Sequence, residues 1–174
     1  MIYLKKYKKF LESDEFDITD NDKEDVKMAK EKLNSLKVKL NEYNSKKSQV
    51  DSLYKSDNIK PGDLEKIVGK DDNRNEFLVS YANIAAMTKK IEDLKEKDNK
   101  KAAELSEFKD RLSDAGEESK ESISDRISVI GDQIKDIKSK ISESSKKLPE
   151  MIKEHELKMS NLEENMKKWI EKIQ

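Results

Sequence analysis

The chain has 174 residues, of which 43% are charged and 33% hydrophobic, with 37 basic side chains against 38 acidic ones. So small an apolar share supports a thin core, and the near-cancelling charge argues against a general nucleic-acid binder, whose basic face would dominate the count. Cysteine is absent, which removes disulfides, thiolate metal sites and thiol nucleophiles together.

Residues 1–12 predict a short amphipathic segment in which Tyr3, Tyr7 and Phe10, with Leu4 and Leu11, share one side of a helix and the lysines occupy the other. Such a segment suits docking into a partner groove, with Tyr3, Tyr7, Phe10 and Leu11 as the partner-binding side chains. A helix folded back on the rest of the chain and weak membrane-surface binding are the other readings. Residues 13–22 are acidic and polar and read as a linker ending in an N-cap.

From residue 23 to residue 174 the pattern is helical throughout. A first helix from about Asp22 to Tyr54 carries Val26, Leu33 and Leu40 in one seven-residue series and Ala29, Leu36, Tyr43 and Val50 in the other. The chain must turn within about residues 56–75, where Pro61, Gly62 and Gly69 flank a possible helical turn around Leu64, Ile67 and Val68. A second helix, Glu76 to Ser113, repeats the stripe with Phe77, Ile84, Ile91, Leu105 and Leu112 alongside Met87, Leu94 and Phe108. Asp98 and Lys101 fall on that same stripe. A turn near 113–120 around Gly116 precedes the clearest rhythm of all, Ile123, Ile127, Ile130, Ile134, Ile137 and Ile141. The stripe continues through Leu148, Ile152, His155, Met159, Leu162, Met166, Trp169 and Ile173. Pro149 predicts a kink or break near 145–149, where Ser144 or Ser145 can cap a new helix and the apolar phase drifts by one residue.

These features predict an all-α protein, an elongated antiparallel bundle or coiled coil of three to four long helices. The six isoleucines face either the chain's own helices or other copies, since isoleucine at both seam positions favours three or four strands.

Chemistry finds little support. HELKM at 155–159 begins like the zinc-protease helix HExxH but has Met159 where the second histidine belongs, and His155 is the only histidine. GDLEKIVGK has Leu64 where a phosphate loop needs its first glycine and Asp71 after Lys70. The acidic run from Asp14 to Asp25 puts Asp22 and Met28 at the glycine and glutamate positions of a calcium loop. No catalytic, cofactor or metal residue is assigned, and no enzyme activity is expected. Met151, Met159 and Met166 near Trp169 fit core better than an adaptable binding face. The lysine pairs at 89–90, 100–101 and 146–147 fit a solvated face of weak ion pairs. No stretch approaches the ~18 apolar residues of a membrane span and the start lacks a secretory apolar core, so a cytoplasmic protein is expected.

The opening string LKKYKKFLES resembles the openings of small virion and capsid-assembly proteins of large tailed, T4-like or jumbo, bacteriophages. The resemblance covers about the first thirteen residues. It implies a virion or capsid-core accessory, incorporated into a larger viral assembly. The function expected is therefore that of a non-enzymatic structural or assembly protein acting through coiled-coil packing. The expected partners are proteins: other copies of the chain, as a dimer to tetramer, or a larger viral assembly. The alternative is a regulatory helical module, an adaptor or inhibitor.

Overall fold

Runs rich in Lys, Glu, Leu and Ile, with glycine and proline scarce, favour helix wherever the 3-4 apolar rhythm gives the helix a face to bury. The computed structural model describes residues 16–56, 58–60, 62–70 and 74–173. These form four helices and no strand: α1 (Glu24–Lys55), α2 (Asp63–Val68), α3 (Glu76–Asp114) and α4 (Glu117–Ile173). The protein is all-α. It divides into two compact units, the first holding the described residues up to Asn83 and from Met151 onward, the second Ile84–Glu150.

In the first unit α1 buries Ala29, Leu33, Leu40, Tyr43 and Val50, close to the predicted stripe, and also Lys37. The lysine is covered because residues 16–22 are not a free linker. The side-chain amide of Asn34 accepts from the Phe16 backbone N–H at 2.9 Å and donates back to the Phe16 carbonyl at 3.1 Å, which pins the segment to α1. The Phe16 ring lies 5.1 Å from the Lys37 ammonium, and Lys30 bonds the Asp17 carbonyl and the Asp22 carboxylate. The expected acidic N-cap is likewise displaced. Lys23 stands at that position without a side-chain cap, while Asp22 accepts from the Thr19 N–H and from Lys30.

The predicted turn at 63–68 is present as α2, entered and left through Gly62 and Gly69, both at φ 87°, a region that penalises any Cβ. Asn75 then anchors α3. Its side-chain oxygen accepts from the N–H groups of Phe77 and Leu78, capping the helix, while its nitrogen donates to the Lys39 carbonyl and to Glu42 on α1. The first turns of α3 bury Phe77, Leu78 and Ala82 almost completely, more than one stripe, because this stretch has neighbours on several sides. From α4 the same unit takes Leu162, Met166 and Ile170 into its core. Met166 is therefore core, and Ile170 is buried more deeply than its stripe neighbour Trp169.

The second unit consists of two helical stretches joined through Ala115 and Gly116. Gly116 starts α4, its carbonyl accepting from the Ser119 N–H at 3.0 Å, with Glu117 and Glu118 in the first turn. Lys90 on α3 lies close enough to Glu143 on α4 to act on its charge, as expected of two stretches that run antiparallel about the break. On α3 the covered positions 84, 87, 91, 94, 98, 101, 105, 108 and 112 alternate steps of three and four, with Asp98 and Lys101 in line as predicted.

Of the kink or break expected near 145–149, the break is absent: α4 runs unbroken through Pro149. The reason is visible in the burial. Ile123, Ile127, Ile130, Ile134, Ile137, Ile141, Ser144, Leu148, Met151 and His155 form one uninterrupted 3-4 series of covered positions. The phase does not drift at the proline. Ser144 occupies a stripe place and is only 3% exposed, Met151 takes the place predicted for Ile152, and Ile152 is exposed. Pro149 lies on the open side, where its ring removes one backbone hydrogen bond and displaces no packing.

Candidate functional site

The predicted partner-binding residues Tyr3, Tyr7, Phe10 and Leu11 lie outside the described residues. The six isoleucines are placed along one face of α4 in the second unit. Ile130 and Ile134 are buried, while Ile123, Ile127, Ile137 and Ile141 keep part of their surface open. On α3, Ile91 is buried and Met87, Leu94, Leu105, Phe108 and Leu112 are partly open. The second unit thus carries two facing apolar stripes that its own helices close incompletely.

A different constellation joins three helices in the first unit. The Tyr43 hydroxyl on α1 and His155 Nε2 on α4 are 3.1 Å apart, and the Tyr81 hydroxyl on α3 donates to Asp51 Oδ1 on α1 at 2.6 Å. The two tyrosine rings meet edge to face at 6.1 Å, and His155 lies within 6 Å of both. The Lys47 ammonium sits 4.7 Å from the Tyr81 ring centre and 5.9 Å from that of Tyr43. At such distances a cation–π contact stabilises by about 0.5–2 kcal/mol.

Burial sets the proton affinities here. Desolvation, then the positive charges of Lys47 and Lys158, holds the His155 imidazole below the ordinary histidine range, with Glu156 acting the other way. Burial first, then the bond to Asp51, pushes the Tyr81 phenol far above its ordinary range, and burial raises Tyr43 as well. The neutral imidazole has one ring nitrogen satisfied by Tyr43; Nδ1 is buried without a hydrogen-bond partner. Only 9% of the His155 surface is open. The arrangement offers no exposed base or nucleophile to a substrate, and what it does physically is brace α1, α3 and the end of α4 against one another.

Part of this network is legible in hindsight. Lys47, seven residues after Leu40, and His155, four after Met151, are both polar residues on apolar stripes, and a polar residue there calls for a partner. Tyr81 and Asp51 gave no such signal, since each sits beside a stripe position. Neither a family model nor any curated protein or solved structure matches the chain. Among the described residues no three or more His, Asp or Glu side chains converge as metal ligands, and no helix is long and apolar enough to cross a membrane. The lysine pairs form ion pairs within their helices: Lys89 with Asp93, Lys100 with Glu96 and Lys147 with Glu143.

Proposed function

We propose that the protein is a non-enzymatic assembly element that packs against helical partners along its second unit and is recruited to a larger assembly by its N-terminal segment. The observation that carries this reading is the partly open isoleucine stripe of α4, facing a partly open stripe on α3. Apolar surface left uncovered in a regular 3-4 series is what knobs-into-holes packing by a further helix would bury. The first unit supports recruitment. Phe16 is clamped to Asn34, which fixes the first described residue on α1. The likeness of the opening string to small phage virion proteins supports a virion or capsid-core setting.

Two measurements test this. Light scattering on a sizing column, over a wide concentration range, reads whether the mass exceeds the 20.2 kDa of one chain. Two to four chains would place self-packing first; a constant single chain would leave an adaptor that takes a helical partner of another sequence. Replacing Tyr3, Tyr7 and Phe10 together with alanine should abolish capture by the larger assembly at unchanged helicity. A chain that stays single and captures no helical partner removes the reading.

A further inference from the structure

The charges beside the two stripes are sorted by sign. On α3 the positions directly flanking the stripe hold Lys90, Lys95, Lys97, Lys109 and Arg111, and on α4 they hold Arg126, Lys138, Lys140 and Lys147. The remaining flanking positions are neutral except Glu104, which is tied to Lys101 on the stripe. Apart from Asp98 on the stripe, the other acids of the unit lie away from these positions: Glu92, Glu96 and Asp110 on α3 and Asp125, Asp132 and Glu150 on α4 are on the backs, and Glu107, Asp136 and Glu143 pair along their own helix with the exposed Arg111, Lys140 and Lys147. All nine flanking cations are exposed.

Coiled-coil partners are selected by the charges at these flanking positions. In an antiparallel pair the edge of one helix lies along the corresponding edge of the other, so both edges here set cation beside cation. A second copy arriving on the same face would bring more positive charge to the same place. Cations on either side of a partly open apolar stripe instead match a helix with an apolar stripe of its own and carboxylates beside it. The open stripe also separates such a helix from a nucleic acid, which has no apolar ridge to offer.

We propose that the second unit is the docking face for an acidic amphipathic helix of another protein, its apolar stripe seated on the open isoleucines and its flanking carboxylates against the lysines of α3 and α4. This rests on the packing role of the second unit given above and adds the chemistry of the partner.

The test uses the full chain and two synthetic helical peptides with leucine at alternating three- and four-residue spacing, one with glutamate at every flanking position and one with lysine. The glutamate peptide should bind roughly tenfold or more tightly than the lysine peptide, and the difference should shrink as salt is raised. Exchanging the exposed Lys97→Glu and Lys140→Glu together, with circular dichroism to verify the fold, should narrow or reverse that preference. Equal binding of both peptides overturns the charge inference but leaves the packing surface standing; binding of neither overturns both. Preference for duplex DNA or for anionic phosphatidylserine vesicles over the glutamate peptide also overturns the proposal.

Discussion

Asn75 holds the start of α3 to α1, and removing its side chain should cost the first unit more than any single surface contact. Asn75→Ala deletes an N-cap, typically ~1 kcal/mol. It also deletes the bond of 2.8 Å to the Lys39 carbonyl and that of 3.1 Å to the Glu42 carboxylate. These contribute about 1 kcal/mol each, with the second held to that figure because Glu42 is 31% open and keeps Lys46 at 2.6 Å. The expected loss is about 3 kcal/mol. Trp169, the only tryptophan, lies in the first unit, so its fluorescence in urea reports on that unit. Asn75→Ser keeps a cap acceptor while losing both donated bonds, and should recover about 1 kcal/mol of the loss. A loss below about 1 kcal/mol for the alanine variant, or identical losses for alanine and serine, would refute the assignment of Asn75 as both cap and tether.

Three further outcomes are expected. Because burial and Lys47 hold His155 below its ordinary range, the unfolded chain binds a proton that the folded chain resists once pH falls below ~6.5; stability then falls by up to ~1.4 kcal/mol per pH unit until the folded imidazole itself titrates. Urea midpoints by Trp169 fluorescence at about pH 7.5 and pH 5.5 should show this, and His155→Gln should flatten it. In the second unit Ile130→Ala, at a site 1% exposed, should cost about 2–4 kcal/mol, whereas Val129→Ala next to it, 49% exposed, should change stability by less than about 0.5 kcal/mol, both read by hydrogen exchange over 84–150. Pro149→Ala restores a backbone bond on the open face of an unbroken helix and should stabilise the second unit by about 1–3 kcal/mol; a loss would mean that the packing depends on the proline.

The helices were legible because their signal is local. The start of α3 at Glu76, the turn at 63–68 and the stop before Gly116 follow from apolar spacing, glycine and first-turn acids within a few residues of each boundary. What was not legible depended on residues far apart in the chain. Asn34 grips Phe16 across eighteen positions, so the acidic stretch read as linker by its composition is in fact anchored. The break at Pro149 was inferred from the backbone cost of proline, but Ser144 and Met151 keep the stripe covered on both sides of it, and packing outweighs one missing hydrogen bond. His155 was recognised as a polar seam residue, whereas its partners Tyr43 and Tyr81 come from two other helices and could not be chosen by spacing.

The two units spend their polar residues differently, and this bears on what each can do. In the first, polar groups face inward and choose specific partners: Asn75 with Lys39 and Glu42, Tyr81 with Asp51, His155 with Tyr43. Such cross-links define one arrangement and leave little surface to share. In the second, charge lies outside a repetitive stripe, and flanking cations are tied back to acids on their own helix, Lys140 to Asp136, Lys147 to Glu143 and Arg111 to Glu107. Exposed pairs four residues apart are weak, since water screens them and the long side chains lose freedom in making them. Glu143, held below the ordinary carboxylate range first by Lys147 and less by Lys90, nevertheless remains exposed. An arriving carboxylate therefore has little to displace. The cations are kept compatible with a free hairpin by contacts weak enough to be exchanged, while the partly open isoleucines supply the apolar surface that makes the exchange favourable.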